Sequence, residues 1–141
     1  MYKSEAAFSK VLNLKLKLLR YSVTRIETGL TSQGVPDMFV QGNGTDFWLE
    51  LKNEKKLILE NTKLKVHWRP GQQPWAYTYY MQHQKKKNTF TVIAGDNCFV
   101  LICMKHMFKD NVVNFDDDCV YKCKSITELM ETLLKEVNNA K

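Results

Sequence analysis

The dipeptide Asn43-Gly44 constrains this chain more than any other feature. A two-residue type I′ turn needs positive φ at both central positions, and Asn-Gly tolerates that conformation best. The flanking runs, 37–41 and 46–52, carry strand-forming Phe, Val and Trp, so the segment predicts a β-hairpin. With Asn43 and Gly44 at the turn, Gly42 pairs with Thr45 and the register follows outward. Phe39 then faces Trp48, and Asp37 faces Glu50. Directly opposed side chains have Cβ atoms about 4.5–5.5 Å apart. Lys52 projects from the same sheet face as Glu50, two residues on. Two carboxylates and an ammonium therefore converge at the open end of one hairpin.

Opposed carboxylates repel, which is a poor choice for a purely structural sheet. A divalent cation would neutralise them. Hard Mg²⁺ prefers carboxylate oxygens, usually one or two per ion, with water and phosphate completing its shell. A metal there polarises a phosphate and lowers the pKa of a bound water. The ammonium of Lys52 is placed to orient that water or to stabilise developing phosphorane charge. The competing reading is two surface acids near a surface lysine.

The remaining pattern supplies the frame. Residues 4–20 compete between two periods. Leu12, Leu14, Leu16 and Leu18 alternate as in a strand, whereas Phe8, Leu12, Leu16 and Leu19 form one helical stripe. Ser4 as N-cap, good helix formers and a length unusual for a strand favour the helix. Glu5 lies centred on that stripe, where a carboxylate is either paired with a cation or frayed into solvent at the first turn. Strands are expected at 21–27, 89–94 and 98–103. Pro70-Gly71 and Pro74 suit the first turn of a helix reaching about residue 87. Residues 55–66, lysine-rich, read as a loop or a hairpin extension. Ser125-Ile-Thr-Glu128 is a capping box opening a last amphipathic helix. The order α-β-β-β-α-β-β-α predicts an α/β fold built on one central sheet.

Composition narrows the functional classes. At 141 residues the length suits a single domain over 1–141, and no repeat or linker divides it. Apolar runs are too short to span a membrane, and MYKSEAAFSK lacks the apolar core of a secretory signal, so a cytoplasmic protein is expected. The net charge is +6. Residues 1–110 carry 17 Lys and Arg against 9 Asp and Glu, whereas residues 111–141 carry 4 against 6. A basic body fits a polyanionic partner such as nucleic acid, and fits an ordinary basic protein equally.

At this point the residues reach a resemblance. Pro36-Asp37, twelve intervening residues, then Glu50-Leu51-Lys52 resembles the PD-(D/E)xK motif of a large nuclease superfamily. The longer set runs Thr24-Arg25-Ile26-Glu27, Gly34-Val35-Pro36-Asp37, Phe47 to Lys52, and Arg69-Pro70-Gly71-Gln72-Gln73-Pro74-Trp75. It is similar to the virus-type replication-repair nuclease (VRR-NUC) branch, close to phage Holliday-junction-resolvase-like proteins, over roughly residues 5–95. The resemblance implies a restriction-endonuclease-like core, αβββαβ, with a mixed central sheet flanked by helices, plus an additional strand and the C-terminal helix.

It further implies that Asp37 and Glu50 bind the metal, with Glu5 as the acidic residue of the first helix and Lys52 positioning water. A glutamine at the start of the second helix completes the site. Gln72 fits the Arg-Pro-x-Gln-x-x-Trp context and is preferred, while Gln73 fits a Gln-x-x-x-Tyr pattern with Tyr77. Pro74 and the lysine-rich insertion depart from the pattern and leave the start of that helix open. The implied activity is Mg²⁺-dependent cleavage of DNA, with Mn²⁺ able to substitute and a homodimer possible, on branched DNA such as Holliday junctions. The rivals are a sequence-specific restriction-like enzyme and an inactive DNA-binding module of the same fold.

Other residues carry weaker signals. Arg25 and Arg69 are candidates to grip phosphate or to form structural ion pairs. Lys85, Lys86 and Lys87 suit a helix C-terminus or a DNA-tracking surface. Glu27 is either part of the site's surroundings or a strand-end surface acid. Trp68, Trp75, Tyr77, Tyr79 and Tyr80 are candidates for the core or for stacking on unpaired bases. The cysteine spacings, Cys98-x₄-Cys103 and Cys119-x₃-Cys123, match no common zinc knuckle, so no zinc is expected.

Overall fold

The structure is a computed structural model, and it describes residues 2, 4–26, 34–108 and 111–139. The central hairpin forms as its turn dictates. Asn43 and Gly44 have φ of 50° and 77°. Strands β2 (Met38–Gly42) and β3 (Thr45–Asn53) pair antiparallel with Gly42 opposite Thr45, Phe39 opposite Trp48 and Met38 opposite Leu49. The paired ladder stops there, one residue short of the expected Asp37–Glu50 pair. Pro36 has no N–H to continue it, and the Asp37 carboxylate Oδ2 itself accepts the Leu51 N–H at 2.8 Å.

Strand β1 (Ser22–Arg25) joins the other edge of β2 and is shorter than the expected 21–27, of which Glu27 lies outside the described residues. Strand β5 (Thr89–Ala94) runs parallel to β3, with Glu50 beside Thr91 and Lys52 beside Ile93. A parallel neighbour requires a crossover connection, and helix α2 (Gln72–Gln82) supplies it. Strands β6 (Phe99–Cys103) and β8 (Val120–Cys123) extend the sheet antiparallel, giving the order β1-β2-β3-β5-β6-β8. The mixed α/β sheet expected from sequence is therefore present, with more strands than expected. Besides β8, strands β4 (Lys63–Lys65) and β7 (Val112–Asn114) form a separate two-stranded sheet.

Helices α1 (Glu5–Leu18) and α3 (Ile126–Asn139) cover one face of the sheet. The helical period wins in α1. Phe8, Leu12 and Leu16 are fully buried, while Leu14 and Leu18, which a strand would have buried with them, are exposed. Ser4 caps the helix, its Oγ accepting the Ala7 N–H at 3.2 Å. Leu19 is 44 % exposed because the helix has ended at its position and Arg20 turns left-handed (φ 68°). Helix α3 opens on the expected cap, with Glu128 N–H donating to Ser125 Oγ at 3.1 Å and Glu128 Oε2 accepting from Lys124 N–H at 2.8 Å. The α1 and α3 stripes meet Phe47, Leu49, Leu51, Phe90 and Leu101 in the main core.

The opposite sheet face is divided. Helix α2 packs through Trp75 and Tyr79 against Trp48 of β3. The β4–β7 ribbon closes over Ile93, Val100 and Ile102 through Val66 and Val113. Glu50 and Lys52 lie between these two covers. Helix α2 ends at Gln82, five residues before the expected boundary, since Gln84 and Lys85 both adopt positive φ. Among the described residues no helix is long and apolar enough to cross a membrane.

Candidate active site

Three elements bring the acidic hairpin end together with α2. Asp37 precedes β2, Glu50 and Lys52 are on β3, and Gln72 is the first residue of α2. A close backbone approach locks the first to the last. Gly34 (φ 90°) lies so near Gly71 that a Cβ added to it would sit 2.0 Å from the Gly71 carbonyl oxygen. Gly71 (φ 88°) is itself the residue from which α2 departs. The segment leading to Asp37 is thereby pinned against the start of the helix carrying Gln72.

Glu50 is 1 % exposed. Its Oε2 accepts from Gln72 Nε2 at 2.6 Å and from Arg69 Nη2 at 3.1 Å, and stands 3.8 Å from Lys52 Nζ. Arg69 Nη2 also lies 3.6 Å from Asp37 Oδ1, so the guanidinium bridges the two acids. The Lys52 ammonium donates to the His67 carbonyl at 2.9 Å and to Gln72 Oε1 at 3.1 Å, with the Trp68 ring 5.3 Å away. Gln72 Oε1 accepts the Arg69 N–H as well, at 2.8 Å. With two donors converging on its oxygen, the Gln72 amide has a single consistent orientation, Nε2 toward Glu50.

The electrostatics follow from burial. Removal from water pushes the Glu50 carboxyl up to about 7, and the Asp37 charge adds to the shift. Lys52, Arg69 and the Gln72 amide oppose it. Burial lowers the Lys52 pKa from its ordinary value, against the pull of Glu50. Desolvation disfavours the Arg69 charge, but Glu50 and Asp37 more than compensate, with a smaller contribution from Glu5.

The donor set suits a hard cation. Glu50 Oε1 is buried with no hydrogen-bond partner among the described residues, a costly state for a carboxylate oxygen that a cation would relieve. Asp37 Oδ1 lies 3.6 Å from the half-exposed Arg69, whose Nη2 also reaches Glu50 Oε2. Oxygen donors of this kind match Mg²⁺ or Mn²⁺.

The other sequence candidates fall in different places. Glu5, at the first turn of α1, is exposed rather than buried on the stripe. With Arg25 and Asp37 it lines a cleft of about 160 Å³, and it borders a second cleft of about 130 Å³ beside Lys52 and Arg69. Arg25 is exposed on that rim. Arg69 is exposed on one side and paired with Glu50 and Asp37 on the other. Lys86 pairs with Asp46 at 2.5 Å near the hairpin turn. Asp46 is four residues from Glu50, about 13 Å along the strand, so Lys85, Lys86 and Lys87 are not brought to the acids. Lys85 instead closes the C-terminus of α2, its backbone N–H donating to the Tyr80 carbonyl at 2.8 Å just past the C-cap His83. It is Gln72 that reaches Glu50 and Lys52; Gln73 is half-buried one position on. The His67 carbonyl had no sequence signal, since a backbone acceptor is written in no side chain; Trp68, a candidate for the core or for base stacking, stands beside the Lys52 ammonium.

No protein-family model matches the sequence, and a search of curated proteins finds no match. Among solved structures the chain is similar to Hjc, a Holliday junction resolvase from the archaeal hyperthermophile Archaeoglobus fulgidus. The two share 12 % identity over 87 % of this chain and 90 % of the other, with a TM-score of 0.52. At that identity the likeness concerns architecture. The mixed sheet with its flanking helices, and the hairpin at its centre, are a resolvase-like, restriction-endonuclease-like fold.

Proposed function

We propose that this chain is a metal-dependent DNA endonuclease, a single nuclease domain over residues 1–141, that hydrolyses phosphodiester bonds in branched DNA. The observation that carries this reading is the convergence of Asp37, Glu50, Lys52 and Gln72 at one point of a fold shared with a junction resolvase. The PD-(D/E)xK-like spacing and the VRR-NUC-like motif order support it independently of the fold. A cytoplasmic, phage-type role in replication, recombination or repair, and a homodimer matching the two-fold symmetry of a junction, complete the proposal.

In this reading Asp37 and Glu50 would hold Mg²⁺ or Mn²⁺, with Glu5 at the rim as a further candidate ligand. Such an ion would supply charge neutralisation at the phosphate and a more acidic bound water. The chain's own residues do the rest. Asp37 is aimed by the Leu51 N–H, and Glu50 by the Gln72 amide. Lys52, held by the His67 carbonyl and Gln72, presents a fixed ammonium to the attacking water or to the charge growing on phosphorus. Arg69, half-exposed beside both acids, would be available to contact a phosphate oxygen if a cation were held there.

The test is a panel of labelled single-stranded, duplex, flap, splayed and four-way-junction DNAs with Mg²⁺, Mn²⁺ or EDTA, beside Asp37→Ala and Glu50→Ala proteins. The expected result is junction cleavage with either metal that EDTA and both substitutions abolish. Cleavage surviving EDTA or both substitutions would overturn the mechanism. Discrete cutting of linear duplex without junction preference would favour a restriction-like enzyme, and binding without cleavage an inactive module. Light scattering of the free protein decides the dimer.

A further inference from the structure

The opposite face of the sheet holds a second constellation of ligand-type side chains. Cys103 ends β6, and its backbone N–H donates to the Cys119 carbonyl at 3.0 Å, continuing the β6–β8 register by one residue pair. The two cysteines are thus cross-strand neighbours. Glu136, a turn from the end of α3, descends onto them, its Oε2 3.8 Å from Cys103 Sγ. One ligand atom from each of the three lies within 4.8 Å of the others. Ligands on a tetrahedral Zn²⁺ with bonds of 2.0–2.3 Å stand about 3.5–3.8 Å apart, so small side-chain rotations close the set.

Two further observations bear on a ligand. The Tyr121 hydroxyl donates to Glu136 Oε1 at 2.6 Å, holding that oxygen away and aiming Oε2 at the sulfurs. This is the orienting contact that metal-bound carboxylates characteristically receive. The three side chains also line a cleft of about 220 Å³, so a fourth position opens to solvent. Lys105 on its rim is engaged by Asp118 at 3.3 Å.

We propose that Cys103, Cys119 and Glu136 form a site for a thiophilic divalent cation of the Zn²⁺ class, with a water in the fourth position. Such an ion ties β6, β8 and α3 together on the face opposite Glu50. Thiolate donors select it over the Mg²⁺ that the carboxylates prefer. The two sites are therefore chemically orthogonal, and this one does not depend on the nuclease reading.

The test uses the full chain, reduced with a phosphine, in excess Mg²⁺, titrated with Co²⁺ as a spectroscopic probe and then with Zn²⁺. One equivalent of Co²⁺ is expected to give the thiolate charge-transfer absorption and the visible bands of a tetrahedral centre, and Zn²⁺ to displace it. Cys103→Ser and Cys119→Ser should abolish the signal. Tyr121→Phe should weaken binding about 10–100-fold, while Cys98→Ser and Glu50→Gln leave it unchanged. Because a cysteine variant can misfold, the unsubstituted protein is also alkylated. Zn²⁺ should slow modification of Cys119 at least tenfold relative to Cys98 and Cys123. A missing charge-transfer band, a band that survives Cys119→Ser, or alkylation indifferent to Zn²⁺ overturns the proposal.

Discussion

Glu50 sets the energetics of the site at the scale of single residues. Its carboxyl is pushed up to about 7 in the fold, against an ordinary value of 4.5. Folding therefore takes up a proton between those pH values, and stability falls as pH rises from about 4.5 through 7 and levels above it. The full penalty is on the order of 3 kcal/mol. Glu50→Gln should accordingly raise the melting temperature at pH 8 in EDTA and lose most of that gain at pH 4.5, read by thermal unfolding at both pH values. Arg69 is the protein's own counter-cation, 3.1 Å from Glu50 and 3.6 Å from Asp37. Removing it in Arg69→Ala should tighten Mg²⁺ binding several-fold in a calorimetric titration, because the ion no longer competes with a guanidinium. The same variant should bind DNA more weakly.

At the scale of elements, the site depends on how the segment before β2 meets the start of α2. Gly34→Ala places a methyl against the Gly71 carbonyl at a left-handed φ of 90°, so neither rotamer nor backbone offers relief. Positive φ alone costs about 1–3 kcal/mol, and the displaced helix start would carry Gln72 away from Glu50. Urea unfolding should report at least that loss, and cleavage should fall further than stability does. The packing of α1 is a simpler case. Leu12 is fully buried in the main core, and Leu12→Ala should cost about 2–5 kcal/mol, whereas Leu14→Ala, on the exposed side, should be nearly neutral in the same unfolding experiment.

For the whole molecule, the net charge of +6 surrounds an acidic cluster. Any cation bound only by the folded state stabilises it, by about 2.7 kcal/mol at a hundred times its dissociation constant. Mg²⁺ should therefore raise the melting temperature of the unsubstituted protein and leave that of Asp37→Asn little changed. Junction binding should weaken linearly with log salt concentration as phosphate contacts release counterions. If Arg25 is one of those contacts, Arg25→Ala should reduce the slope by about 1, measured by fluorescence anisotropy in Ca²⁺ across a salt series.

Much of this was legible in the residues. Asn43-Gly44 determined the turn, and the turn determined that Phe39 meets Trp48, because hairpin register is a local property. Whereas the expected Asp37–Glu50 pair falls one position beyond the end of the ladder, the α1 stripe and the caps at Ser4 and Ser125 follow from spacing over a few residues. Strands β4, β7 and β8 did not, being three or four residues long and paired with segments far away in sequence, where periodicity has too few residues to register. The bridging of the acids by Arg69 and the holding of Lys52 by the His67 carbonyl depend on the crossover between β3 and β5 folding back onto β3 from fifteen to nineteen positions away. The meeting of Cys103, Cys119 and Glu136 depends on β6, β8 and α3 at once. Local chemistry dictated which groups face one another across a turn. Only long-range packing, which no short window of sequence contains, decided which distant groups share a buried space.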